Sequence, residues 1–168
     1  MEPRVSIIMG STSDYKIMEA TAKTLNDFKI PFEINALSAH RTPEKAEEFA
    51  RNAAGRGIKV IIAAAGMAAH LPGVVAAFTT IPVIGVPINA SFDGLDSVLS
   101  ILQMPPGVPV ATVAVNGAQN AAILAAQIIA SGDPEVAGKV KEFKENLKIK
   151  IIQANEELKQ VRFEYKTN

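Results

Sequence analysis

Five short runs of small and β-branched apolar residues punctuate this chain, at about residues 4 to 9, 31 to 37, 58 to 64, 82 to 86 and 109 to 115, and amphipathic stretches separate them. A run without polar alternation is a strand covered on both faces. Strand, helix and strand repeating in this way predicts βαβ units around a buried parallel sheet. No internal repeat and no low-complexity linker interrupts the pattern, so residues 1–168 are expected to form a single α/β domain.

Right-handed crossovers leave few arrangements of five parallel strands, and a three-layer αβα, flavodoxin-like sheet of order 2-1-3-4-5 is expected. Aromatic residues are only 5%, with no Trp and two Tyr, which suits tightly layered, Ala- and Ile-rich packing. The first helix is expected from Tyr15 to Phe28, with Ile17, Met18, Ala22, Leu25 and Phe28 at helical spacing and Asp14 as its cap. A second begins at Pro43 with Thr42 as N-cap, Glu44 and Glu47 favouring its positive end and Gly55 and Gly57 stopping it. A short helix follows Pro72, and another spans about Leu95 to Gln103 with Leu95, Val98, Leu99 and Leu102 on one face. Asn120 to Ala130 is apolar nearly all round, which places it between layers or against another subunit.

From Pro134 to about Leu158 the apolar residues Val136, Val140, Phe143, Leu147, Ile151, Ala154 and Leu158 recur at steps of three or four, and Lys139, Lys141, Glu142, Glu145 and Lys148 fill the outer face. At about 1.5 Å per residue such a helix overruns a five-stranded domain. Its stripe is expected to pack partly on a neighbouring subunit, giving a homo-oligomer; the alternative is a helix folded back on its own sheet.

Lys plus Arg and Asp plus Glu are both 17, and the basic residues are not interleaved with aromatics, so neither a nucleic acid nor an anionic membrane surface is the expected partner. A small ligand is. Cysteine is absent, which removes disulfides, thiol catalysis and thiolate metal sites. The start, Met1-Glu2-Pro3-Arg4, leads into a strand rather than a signal sequence, and no apolar stretch reaches spanning length uninterrupted. A soluble cytoplasmic protein is the expectation.

Three segments follow apolar runs in the same way: Gly10-Ser11-Thr12-Ser13-Asp14, Ser38-Ala39-His40-Arg41-Thr42-Pro43 and Gly66-Met67-Ala68-Ala69-His70-Leu71-Pro72-Gly73. In a parallel sheet all three emerge at one edge, where open α/β folds bind ligands. The amides and hydroxyls of the first can surround a phosphate at a helix start, although it matches neither a Walker loop nor a G-x-G-x-x-G fingerprint. Asp14 can accept from ribose hydroxyls or cap the helix. Arg41 offers the planar fork that grips a phosphate through two bonds, and Ser38 stands beside it. His40 can give and take protons near neutrality. His70 lies among Gly66, Ala68 and Ala69, whose small side chains allow a ligand close to the backbone; a histidine bonded to a core carbonyl is the alternative. Two histidines without clustered carboxylates or thiols make a poor metal site, and no metal is expected. A serine hydrolase lacks its G-x-S-x-G elbow here. A response-regulator receiver would need an acceptor Asp where Ala63-Ala64-Ala65 stands, and a flavin site would want aromatics that these loops lack.

Taken together with Pro82-Val83-Ile84-Gly85-Val86-Pro87 and Ser100-Ile101-Leu102-Gln103-Met104-Pro105, these segments resemble the PurE family of purine biosynthesis, in order from about residue 4 to 130. The His-Leu-Pro-Gly string resembles the bacterial-type mutase, which converts N5-carboxyaminoimidazole ribonucleotide into 4-carboxy-5-aminoimidazole ribonucleotide. The chain departs from the usual mutase pattern at Ala64 and Met67, where glycines are common. The resemblance implies that Ser11, Arg41 and Ser38 hold the phosphate and Asp14 the ribose. It implies that His40 acts as acid and then base, and that His70 and the Gly66 backbone line the pocket for CO2 and carboxylate. It implies an octamer, and no ATP, biotin or metal. Two other readings stay open: a carboxylase that adds free CO2 to aminoimidazole ribonucleotide, and a non-catalytic phosphoribosyl-nucleotide binding module.

Overall fold

A computed structural model describes residues 1–168. Five parallel strands, β1 (Val5–Met9), β2 (Phe32–Ala36), β3 (Val60–Gly66), β4 (Val83–Ile88) and β5 (Ala111–Thr112), form one sheet in the order β2-β1-β3-β4-β5. The helices between them are α1 (Tyr15–Asp27), α2 (Pro43–Ala53), α3 (Leu71–Phe78), α4 (Leu95–Leu102) and α5 (Ala118–Ala130), followed by α6 (Pro134–Lys159). This is the flavodoxin-like topology that the alternation predicts.

The continuous apolar runs have a direct cause in the register. Successive side chains of a strand point to opposite faces, and both faces are covered. Ile7, paired with Ile34 and Ile62, belongs to the layer under α1 and α5. The neighbouring Ile8 and Ala63 belong to the layer under α2 and α3. Only the inner strands β1, β3 and β4 are buried along most or all of their length; Ile34 on edge strand β2 is 41% exposed.

Small residues bring the helices close. Five alanines of α5, Ala118, Ala121, Ala122, Ala125 and Ala126, are buried against the sheet side of the fold, and the buried Thr21 hydroxyl donates to the Ala118 carbonyl at 2.8 Å. That bond satisfies a hydroxyl that would otherwise be buried alone. At Gly85 an added Cβ would lie 2.4 Å from Ile101 Cγ2, so glycine is what lets α4 lie directly on β4.

The caps differ from expectation. Asp14 and Thr42 occupy the N-cap positions of α1 and α2, but neither side chain caps its helix. Ser11 instead accepts from Ser13 N at the start of the 3-10 turn Thr12–Asp14, and the Thr42 hydroxyl bonds back to the Ser38 backbone. Gly57 ends the second helical segment in the left-handed region at φ +85°, whereas Gly55 stays inside the 3-10 turn Ala54–Arg56. At the start of α6 Asp133 accepts from Glu135 N and Val136 N and pairs with Arg4 at 2.7 Å. The Arg4 hydrogen bond holds its carboxyl below the usual value.

One element departs from the sequence reading. The fifth strand covers two residues rather than seven, because Pro87 brings no N–H to extend the β4 ladder; Val113 and Asn116 still donate to the Gly85 and Pro87 carbonyls as the chain turns away. The Leu95, Leu99 and Leu102 face of α4 is 50–60% exposed, and Ser97 and Ile101 are buried instead. In α6, Val136 is buried, Val140 and Phe143 pack on the core, and the Phe143 ring meets Phe28 edge-on at 5.5 Å. Beyond Phe143 the helix leaves the domain, with Leu147, Ile151, Ile152 and Leu158 all 46–67% exposed. The helix is thus folded back over its first turns only. No helix is long and apolar enough to cross a membrane.

Candidate active site

At the carboxyl edge of the sheet, the chain leaves β1 toward one side and β3 toward the other. The loops after β1, β2, β3 and β4 there surround a cleft of about 410 Å³. Ser11, Asp14, Ser38, His40, Arg41, Gly66 and His70, the seven residues singled out above, all line it.

Each loop is shaped by its own polar side chains. After β1, the Ser11 hydroxyl is bonded to both Ser13 N, at 3.2 Å, and Ser13 Oγ, at 2.9 Å, which curls the loop into the start of α1. After β2, the Ser38 hydroxyl accepts from Arg41 N at 3.1 Å and from Arg41 Nε at 3.3 Å, while Arg41 Nη2 donates to the Gly10 carbonyl at 2.5 Å. Arg41 therefore bridges the two loops. Its fixed, planar donors make that bridge and could be turned onto an anion; a lysine has no such fork.

The third loop brings in a contact that no local pattern foreshadows. His40 Nε2 lies 2.8 Å from His70 Nδ1, with ring centroids 4.9 Å apart and the planes at 82°. At that distance one ring contributes an N–H and the other a lone pair, so the two facing nitrogens share one proton. The pair is exposed to the cleft and suited to moving a proton. His70 is not bonded to a core carbonyl.

Gly66 has a structural reason as well as a chemical one. A Cβ there would stand 3.0 Å from Ala90 Cβ and 3.2 Å from the Ile88 carbonyl, so the end of β4 presses against it. Sequence reasoning passed over this fourth wall, contributed by Ala90. The signal was present, since Asn89-Ala90-Ser91 follows the β4 run as the other three loops follow theirs. Met67, 59% exposed with φ +55°, and the buried Leu71 complete the same side.

Asp14 is half-buried, and desolvation pushes its carboxyl above the usual value despite hydrogen bonds from Ser13 and Ser11 that pull the other way. A carboxyl whose folded value is raised binds its proton more tightly in the folded state. Its charge therefore opposes folding at pH above that raised value, and the cost vanishes as pH falls to the ordinary carboxylate range. Asp14→Asn is accordingly expected to raise the melting temperature of the ligand-free protein at neutral pH, by an amount that shrinks under acidic conditions. It is also expected to weaken ligand binding. Parallel melts at neutral and acidic pH, with and without a ribonucleotide, check both halves.

The sequence matches the AIR carboxylase family over residues 4–150. The N5-carboxyaminoimidazole ribonucleotide mutase of Thermotoga maritima is 56% identical over 160 residues, 95% of this chain and 94% of that protein. The phosphoribosylaminoimidazole carboxylase of Schizosaccharomyces pombe is 52% identical over 95% of this chain, which covers only 29% of that longer protein. Among solved structures, a Treponema denticola PurE2 variant superposes with a TM-score of 0.86 at 36% identity, over 95% of this chain and all of that one.

Proposed function

Because the chain belongs to the AIR carboxylase family, we infer that it is an isomerase of purine biosynthesis, converting N5-carboxyaminoimidazole ribonucleotide into 4-carboxy-5-aminoimidazole ribonucleotide. The observation that supports this most directly is the facing pair His40 and His70 in the cleft that also holds Arg41 and Ser11.

The reaction moves a carboxylate from nitrogen to ring carbon C4. The N-carboxylate is a labile carbamate, so the N–C bond breaks readily and its electron pair stays on nitrogen, which takes a proton. The CO2 set free is then attacked by C4, and the C4 hydrogen leaves as a proton. One proton is given and one recovered, which a single imidazole can do. We assign both transfers to His40, acting as acid and then as base. His70, at hydrogen-bond distance from it, holds the ring in place. Ser11, Ser38 and Arg41 are assigned to the phosphate and Asp14 to the ribose, while His70 and the Gly66 backbone border the space for CO2. Loss of CO2 is easy and its recapture is not, so positioning and water exclusion carry most of the catalysis.

The deciding experiment offers the enzyme either N5-carboxyaminoimidazole ribonucleotide, or aminoimidazole ribonucleotide with dilute bicarbonate, and follows product absorbance. Turnover of the first alone is expected. Rapid turnover of only the second would make the protein a carboxylase, a reading that the fission-yeast relative's name keeps open. Stabilisation by nucleotide without turnover of either would make it a binding module, in which a titrating group at position 40 would serve little purpose.

The assembly is proposed on the same footing. Two apolar faces stand uncovered on one chain, that of α4 and the distal stripe of α6. Patches of this kind are seldom left in water, and a homo-oligomer covers them. Sedimentation at micromolar concentration is expected to show a species several times the 17.8 kDa chain mass; a single 17.8 kDa species overturns this. A cytoplasmic setting suits such an enzyme.

A further inference from the structure

We propose that the side chain of Met67 is the cover that keeps the released CO2 beside its acceptor carbon. The inference rests on the retained-CO2 reading above and adds to it the residue that does the retaining. Met67 holds a left-handed backbone conformation, φ +55°, which an L side chain adopts at a cost and glycine adopts freely. A long apolar side chain is nevertheless kept there, 59% exposed, on the wall of the cleft and three residues before His70. The rest of that wall is short: Ala65, Ala68 and Ala90 present single methyl groups, and Leu71 is buried with 3% exposure. The His70 ring on this side is engaged with His40, which leaves Met67 as the long side chain free to close over a bound ring.

The chemistry calls for such a group. CO2 is neutral and apolar and forms no strong hydrogen bond, so it is held by enclosure rather than by a polar contact. An unbranched thioether has the flexibility to admit the carboxylated substrate and then fold over the gap. Charged residues elsewhere in the cleft, Arg41 and Asp14, attract the phosphate and the ribose of the nucleotide and do nothing to stop a small neutral molecule from leaving.

The test is a partition experiment. The enzyme is given unlabelled N5-carboxyaminoimidazole ribonucleotide in buffer equilibrated with 13C-bicarbonate, and 13C in the product and free aminoimidazole ribonucleotide are measured by mass spectrometry. Wild type is expected to incorporate little label. Met67→Gly, which keeps the backbone conformation without strain, is expected to raise both label and released intermediate several-fold, with KM little changed and a melting temperature no lower than wild type. Met67→Leu, which restores apolar bulk, is expected to return the partition close to wild type. Equal partition in wild type and Met67→Gly, or a Met67→Leu variant that leaks as much as the glycine, overturns the assignment. The wild-type arm reports separately on the function itself: a product labelled to equilibrium there would remove the retained-CO2 reading, and the cover with it.

Discussion

His40→Asn is expected to lose turnover by a factor of about 10²–10⁴, the range that a positioned acid–base group contributes, while aminoimidazole ribonucleotide still raises the melting temperature as it does in wild type. The reasoning is geometric. His40 sits exposed in the loop after β2 and takes no part in either core layer, so its replacement leaves the fold intact. The amide of asparagine can still hydrogen-bond toward His70, but it cannot release a proton to the departing nitrogen or take one from C4. A variant that kept turnover and lost only affinity would make His40 a binding residue. The contact between His40 Nε2 and His70 Nδ1 adds a graded expectation. His70→Asn, which leaves the shuttle but removes its hydrogen-bond partner, is expected to reduce kcat less than His40→Asn.

The second large effect is expected at Arg41. Arg41→Lys keeps the charge and loses the fork, so KM for the nucleotide is expected to rise by about 10- to 100-fold, the equivalent of the roughly 1.5–3 kcal/mol carried by hydrogen bonds to a charged group. The phosphate lies away from the bonds that change, so this binding energy is common to ground and transition states and kcat is expected to fall far less than kcat/KM. Arg41 also ties the loop after β2 to the loop after β1, through Ser38 Oγ and the Gly10 carbonyl. A lysine cannot make both contacts at once. Some widening of the cleft is therefore expected in the ligand-free variant, visible as faster amide exchange at Ser11 to Asp14. An unchanged KM would place the phosphate elsewhere in the molecule.

The sheet was legible because its inner strands are covered on both sides, which leaves short, continuous, β-branched apolar runs separated by amphipathic stretches. The handedness of crossovers left few strand orders, the observed β2-β1-β3-β4-β5 among them. The seven cleft residues were legible for a related reason: parallel strands deliver all their following loops to one edge, so polar and glycine-rich segments after successive runs must meet. Where reading failed, a tertiary partner had decided the outcome. Asp14 and Thr42 look like caps by position, yet Ser11 takes over that role in the first case and the Ser38 backbone competes for the Thr42 hydroxyl in the second. The apolar row of α4 marks one face of the helix but not the way it turns, and Gly85 and Ile101 fix it with Ser97 inward and its leucines outward. Residues 109 to 115 read as a full strand, yet only two of them complete the ladder beside Pro87.

By itself, the order of residues determined the layer architecture, the single edge at which chemistry gathers, and the residue types gathered there. Those follow from periodicity and from the direction of the strands, both of which are local properties of the chain. Only the folded molecule decided that the two imidazoles, 30 residues apart in the chain, face each other at hydrogen-bond distance, that Arg41 reaches across to Gly10, and that Ala90 and Met67 close the remaining side. Distances between separate loops depend on how closely the helices seat on the sheet, and that is set by the packing of many small side chains at once rather than by any one segment.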